Sequence, residues 1–213
     1  EVTVSAEKEN GQIQETVNLE TVSQEERQKL QEIDHIMGNM MSVLHDQNAT
    51  ADALRKRFPS RNDLKLIHAI PFSSDRKYSG AVFEGRGTYL MGAAQFLFPE
   101  GNEELLEHCS SYAQEGYRIL VLAHSEQETK GTERPTGLEP LGLFLITDVI
   151  REEAPDTLAF FDSQGVDLKV ISGDDPVTVS AIAKKAGLKN ANHYIDATTI
   201  KTPEEMQRAV AEC

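Results

Sequence analysis

Tryptophan is absent from the 213-residue chain, and cysteine is nearly so, with Cys109 and Cys213 as its two thiols. Neither thiol lies in a CxxC pair or has histidine at ligand spacing. The chain therefore reads as carrying two unpaired thiols in a reducing compartment, not a disulfide framework. The six histidines (His35, His45, His68, His108, His124 and His193) show no H-x-x-x-H or Cys/His spacing, so no zinc site is expected. Long apolar runs are missing too. The strongest, "LGLFLI" over Leu141–Ile146, is far too short to cross a bilayer, and no signal peptide pattern occurs. Basic residues are scarce: 21 Lys plus Arg face 35 acids, for a formal charge of −14. Such a surface repels polyanions, which argues against nucleic acid or anionic membranes as partners, although a local basic cluster can still hold a phosphate.

A hydrophobic content of 39% supports real cores and excludes a disordered chain. The length suits one large domain or two small ones. Residue 1 is Glu, and "EVTVSAE" reads like a strand entered midway. The tail "TPEEMQRAVAEC" is a helix that stops without a polar end. Both ends give the expectation of a piece of a longer protein.

Loose alternation over residues 1–16 predicts a strand and a polar turn at Glu9-Asn10-Gly11. In "SQEERQKL", Ser23 and Glu26 form a capping-box pattern. Leu30, Ile33, Met37, Met40, Met41 and Leu44 follow at mostly helical spacing, a face suited to core packing more than to a binding groove. A second helix is expected over Thr50–Phe58. The segments "LKLIHAIPF", "SGAVFEGRG" and "GTYLMGAAQFLF" read as antiparallel strands, with the clearest turn at Glu84-Gly85-Arg86-Gly87. A helix over Asn102–Gln114 stops at Gly116, "YRILVLAHS" is a strand, and Glu126–Gly137 is a polar loop.

From Leu138 strands and helices alternate. "LEPLGLFLITD" and "VDLKVIS" read as strands, "HYIDATTI" as a last strand, and "EEAPDTLAFFDSQG", "DPVTVSAIAKKAG" and "TPEEMQRAVAE" as helices, the last capped by Thr202. That grammar indicates parallel β-α-β packing. The expected fold class is α+β: an antiparallel-sheet domain with flanking helices over residues 17–137, joined to a partial α/β parallel-sheet domain formed by residues 138–213 with the first strand, residues 1–16.

In "KVISGDDPVTVSAIAKKAGL" a Ser-Gly-Asp-Asp turn separates an apolar strand from a helix. Ligands of open parallel sheets sit beyond the carboxyl ends of strands, and a helix start offers free N–H groups and a positive dipole end. Ser172 there can donate to a phosphate oxygen, Gly173 permits a sharp turn, and Asp174 can orient the loop. On spacing alone, Asp174 or Asp175 serving as an N-cap before Pro176 accounts for the stretch as well.

This stretch resembles the T-G-D-N segment of P-type cation-transporting ATPases, which lies in their haloacid-dehalogenase-like phosphorylation domain. Upstream, "GLFLITDVIREEAPDTLAFFDSQGVDLKV" resembles that family's D-P-x-R hinge segment. Further matches are "PFSSDRKYSGAVF" to its F-x-S-x-R-K strand, "GTYLMGAAQFLF" to its K-G-A-P-E strand, and "GYRILVLA" to its G-x-R-V-L-A-x-A. The resemblance runs in family order over roughly Ala49 to Leu188 and looks like a bacterial pump of the calcium or magnesium kind.

The resemblance implies an ATP site. Phe72 takes the place of the adenine-stacking aromatic, Lys77 that of the ATP-contacting lysine, Gly92 that of the glycine beside the adenine, and Arg151 that of the arginine bridging nucleotide phosphates. Ser172, Gly173 and Asp174 match the phosphate-site loop. Met91 stands where the family has a lysine, and Asp52 is not carried over as the family's adenine-side acid. The family's D-K-T-G-T and G-D-G-x-N-D strings, which hold the phosphorylated aspartate and the Mg²⁺ ligands, do not occur in this chain. Asp148 is read as a hinge or cap acid. The implied cofactors are ATP and Mg²⁺. The implied partners are the transmembrane and actuator domains of the same pump, with this piece on the cytoplasmic side of the plasma membrane and touching no membrane itself. Two alternatives stand beside it: a haloacid-dehalogenase-type phosphatase with a large cap, lacking the D-x-D pair that such an enzyme needs, and a non-enzymatic protein-binding module.

Overall fold

The computed structural model describes residues 3–9, 12–15, 23–147 and 150–212. The expected Asn10-Gly11 turn, Asp148 and Cys213 lie outside the described residues. Two compact units form, one from residues 1–109 and 119–146, the other from residues 110–118 and 147–213.

In the first unit, α1 (Gln24–Val43) opens with the expected capping box: Glu26 N–H donates to Ser23 Oγ, and Ser23 N–H donates to the Glu26 carboxylate. Asn48 caps α2 (Ala49–Arg57), its Oδ1 accepting from Ala51 N–H. The sheet contains β1 (Thr3–Glu9), β2 (Gln12–Glu15), β3 (Leu66–Ile70), β4 (Tyr78–Phe83), β5 (Gly87–Gly92), β6 (Arg118–Ser125) and β7 (Glu139–Ile146), in the order β2-β1-β7-β6-β5-β4-β3. The neighbours β3 to β6 pair antiparallel, while β1 runs parallel to β7 and antiparallel to β2. The mixed helix-and-sheet class expected from the sequence is therefore the one observed. The β4–β5 turn is where the glycines predicted it: Gly85 and Gly87 have φ of 66° and 76°, and Arg86 N–H closes onto Phe83 O.

One face of the sheet carries the core. Ile33, Ile36, Met37, Met40 and Met41 of α1 pack with Leu54, Phe58, Tyr89, Met91, Leu122 and Phe144, and Met37 and Met40 are fully buried. The methionine stripe is thus core, each such side chain contributing about 1.5–3 kcal/mol by burial. Beyond β5 the "AQFLF" part of the expected strand is instead a single helical turn, α3 (Ala94–Leu97), as Phe98 N–H turns back to Ala94 O. The helix α4 (Glu103–Gln114) ends as expected at Gly116, whose φ is 88°.

The polar segment 126–137 is irregular, as predicted, yet bound down. Thr88 Oγ1 donates to Gln127 O at 2.6 Å and accepts from Thr129 N–H, Tyr78 Oη donates to Thr132 O at 2.9 Å, and Arg134 Nη1 reaches Leu97 O. Thr88 and Tyr78 of the sheet, with Arg134 of the loop itself, therefore hold a segment with no ladder of its own.

The second unit contains α5 (Ala154–Ser163), α6 (Pro176–Lys185), a 3-10 turn (Ala197–Thr199) and α7 (Pro203–Glu212). Thr202 and Glu205 form a reciprocal cap at α7, as predicted. The strands expected at "VDLKVIS" and "HYIDATTI" are not formed. Residues 166–172 are irregular, with Val170 and Ile171 exposed (57% and 98%), and Asp196 instead caps the 3-10 turn. An extended apolar segment becomes a strand only beside a neighbour that takes its backbone hydrogen bonds, and none of the described residues supplies one.

Asn39 anchors α1 to the following loop. Buried at 1% exposure, it donates Nδ2 to His35 O and Asp63 Oδ1, both at 3.0 Å, and accepts the N–H groups of Asp63 and Leu64 at Oδ1. Replacing Asn39 with Leu should strand those loop groups and lower unfolding stability in urea by roughly 2–3 kcal/mol. Hydrogen bonds from His35 and then Asn39 hold the Asp63 carboxyl below its ordinary value of 3.8. A depressed carboxyl stabilises the fold above its unfolded value, and that contribution disappears as pH falls through the lower folded value. Unfolding followed from pH 6 down through 3.8 should therefore show a shallower acid-side loss in Asp63→Asn than in the parent.

Candidate functional site

Between β3 and β4 the chain turns through residues 71–77. Lys77 has φ +55°, a left-handed backbone for a non-glycine residue, stabilised by its N–H donating to Ser73 O at 2.7 Å. The β4–β5 register sets Tyr78 opposite Gly92, and Lys77 O accepts from Ala93 N–H at 3.2 Å. A Cβ on Gly92 would meet Lys77 O at 2.4 Å and the Tyr78 Cβ at 2.5 Å. Gly92 is thus required by close backbone approach. Phe72 stands on the same loop, 47% exposed and outside the core. The turn and the β4–β5 pairing therefore bring Phe72, Lys77 and Gly92 to one corner of the sheet. Met91, one residue before Gly92, points the other way into the core with α1 and α2.

Arg76 belongs to this corner, although sequence reasoning gave it no role. Its Nη2 donates to Pro71 O at 2.9 Å, its guanidinium carbon lies 5.8 Å from the Tyr78 ring centroid, and its buried Nε has no acceptor among the described residues. The ring face partly offsets that unmet donor, at about 0.5–1 kcal/mol for a cation over an aromatic. The "DRK" run contained Arg76 all along, but nothing in its spacing showed that it folds back.

In the second unit the Ser172–Asp175 turn is a compact helix entry. Ser172 Oγ accepts from Asp174 N–H at 3.1 Å. Asp175 is the N-cap of α6, its Oδ2 accepting from Thr178 N–H at 2.9 Å and from the Thr178 hydroxyl, with Pro176 at the first helical turn. The N-cap part of the sequence reading thus falls on Asp175, leaving Asp174 for another partner: Arg118 Nη2 donates to its Oδ2 at 2.5 Å. Arg118 lies in the "GYR" block, but a contact across 56 positions carries no local signal. A Cβ on Gly173 would meet nothing within 4 Å, so crowding does not demand that glycine. Arg151 is exposed just before α5, its carbonyl accepting from Ala154 N–H. The structure thus brings Ser172, Gly173 and Asp174 together and adds Arg118.

No three His, Cys, Asp or Glu side chains gather as a metal site among the described residues, and the two acids of the loop are engaged by Arg118 and by the start of α6. This set does not fit a divalent ion. The Phe72 ring is exposed, whereas the Gly92 backbone is buried and closed over by Lys77 O and the Tyr78 Cβ.

A family profile described as haloacid dehalogenase-like hydrolase matches residues 22–213. Among curated relatives, the probable cation-transporting ATPase exp7 of Streptococcus pneumoniae is 40% identical over 180 residues, covering 82% of this chain and 22% of the relative. The calcium-transporting ATPase CtpE of Mycolicibacterium smegmatis is 30% identical over 167 residues, covering 78% of this chain and 21% of the relative. The cation-transporting ATPase pma1 of Synechocystis is 29% identical over 143 residues, covering 57% of this chain and 16% of the relative. The chain spans about a fifth of the length of the first two, 22% and 21%. A family match that runs from the start of α1 to the last residue, together with relatives that are cation-transporting ATPases, places the chain in the haloacid dehalogenase-like hydrolase family, on the side of the P-type pumps that its motifs resemble.

Proposed function

We propose that this chain is part of the ATP-binding cytoplasmic headpiece of a P-type cation-transporting ATPase. In this reading residues 17–137 form the nucleotide-binding domain, and residues 1–16 with 138–213 form part of the phosphorylation domain. The observation that carries the reading is the corner at Phe72, Lys77 and Gly92: an exposed aromatic ring beside a cationic residue in a left-handed turn, against a strand end with no room for a side chain.

The roles follow from the chemistry of each group. Phe72 stacks on the adenine, an interaction of about 1–3 kcal/mol. Gly92 serves the pocket by letting the end of β5 close against the backbone that carries Lys77. Lys77 pairs with phosphate as a point charge. Within the second unit, Arg151 is a cation suited to a phosphoryl group, and the Ser172 hydroxyl and Gly173 N–H are donors suited to one, with Asp174 holding their loop through Arg118. Bound ATP supplies the phosphoryl group for in-line transfer to an aspartate in the full pump. Magnesium would be held by ligands outside this chain, where it would neutralise charge on the transferred phosphoryl group. The transported ion in this reading is a divalent cation of the calcium or magnesium kind, and the protein partners are the transmembrane and actuator domains of the same pump. Among the described residues no helix is long and apolar enough to cross a membrane.

Titration with ATP by calorimetry should show saturable binding without phosphate release. Phe72→Ala should weaken it about 5- to 150-fold, the equivalent of one stacked base. Lys77→Ala should weaken ATP more than adenosine, because it removes a phosphate partner alone. Absence of binding to the parent at millimolar ATP would sink the reading. The hydrolase description of the family keeps a free-standing phosphatase as the second reading, and turnover of p-nitrophenyl phosphate by the purified chain would establish that reading instead.

A further inference from the structure

We infer that Arg76 is a positioning residue for the Phe72 corner, holding the peptide that carries the ring instead of meeting the ligand. The inference deepens the nucleotide reading and rests on it for the identity of that ligand. An arginine that serves a phosphate presents its planar fork outward. Arg76 does the opposite. One Nη2 hydrogen reaches back five positions to the carbonyl of Pro71, the residue directly before Phe72. The guanidinium lies toward the Tyr78 ring, 5.8 Å from its centroid, and Nε is shut away from solvent.

The loop is closed at two points. Arg76 holds Pro71 O, and the Lys77 N–H holds Ser73 O at 2.7 Å. Tyr78 is itself fixed, because its hydroxyl donates to Thr132 O of the 126–137 segment. A continuous line of contacts therefore runs from that segment through Tyr78 and Arg76 to the peptide before Phe72. Phe72 is 47% exposed and outside the core cluster, so core packing does not set its position. The carbonyl clamp does.

The test uses the absence of tryptophan from the chain. Phe72→Trp installs a single fluorophore at the ring position, and Arg76→Met or Arg76→Lys is then added to it. Arg76→Met should raise acrylamide quenching and lower the anisotropy of that fluorophore while the far-UV spectrum and Tm stay those of Phe72→Trp alone. Arg76→Lys, which keeps a donor for Pro71 O, should restore part of both signals. Unchanged quenching and anisotropy in Arg76→Met would overturn the inference. If Arg76→Met lowers Tm sharply, Arg76→Leu, which likewise offers no donor, replaces it, with the same two outcomes. These signals need no nucleotide, so they decide the role of Arg76 even if the parent binds no ATP, a result that would count against the nucleotide reading alone. Where the parent does bind, Arg76→Met should weaken adenosine, AMP and ATP by one common factor of about fivefold, the worth of one hydrogen bond. A loss that grows with the number of phosphates would show Arg76 meeting the ligand directly and would overturn the inference.

Discussion

The burial of one helix face against one sheet face sets the terms for the rest of the first unit. α1 carries a stripe of isoleucine and methionine that must leave water, and the sheet offers Tyr89, Met91, Leu122 and Phe144 to receive it. Phe58 closes the end of that core edge-on to Phe144, with ring centroids 5.4 Å apart. Because side chains alternate along a strand, sending Met91 into this core leaves the next residue, Gly92, at the far corner of β5. Core packing and candidate site are thus one residue apart. The position at which the resemblance would have put a lysine belongs to the core, and the cationic character of the corner falls to Arg76 and Lys77.

What was legible in the sequence was what is local. Ser23 with Glu26, Thr202 with Glu205 and Asp175 before Pro176 each satisfy helix-end groups within three or four residues, so their spacing announces them. Gly85, Gly87 and Gly116 mark chain reversals for the same reason. The failures are non-local. Val170 and Ile171 have the right residue types for a strand, but a strand is defined by its neighbour, and composition says nothing about whether that neighbour is present. The "AQFLF" stretch shows the reverse case: aromatic and aliphatic residues that suit a strand turn into a helix once β5 reaches its end at Gly92. At the candidate site, Phe72, Lys77 and Gly92 were readable only through family resemblance. Arg118 and Arg76 escaped because their partners are set by folding: Asp174 is 56 positions away, and the Pro71 carbonyl is invisible to any motif.

The irregular segment 126–137 shows how a loop without ladder bonds is kept in place. Its carbonyls are taken by Thr88, Tyr78 and His68, side chains of three different strands, and its own Arg134 caps the end of α3. Each bond is modest by itself, on the order of 1 kcal/mol. Spread over three strands, they tie the loop to the most buried part of the sheet, where β4 and β5 are covered along their whole length.

The exposed run from Val166 to Ile171 has a consequence for handling the protein in solution. A segment with exposed apolar side chains and no ladder bonds among the described residues is a template on which another copy can add a strand. Against this stands the formal charge of −14, which pushes copies apart. The balance is set by the ions in the buffer: at physiological ionic strength the repulsion reaches only about 8 Å, whereas hydrogen bonds and apolar contact along the segment are hardly screened at all. Salt concentration therefore sets the colloidal behaviour of this chain, with dilute buffer keeping it dispersed and added salt bringing copies within reach of that edge.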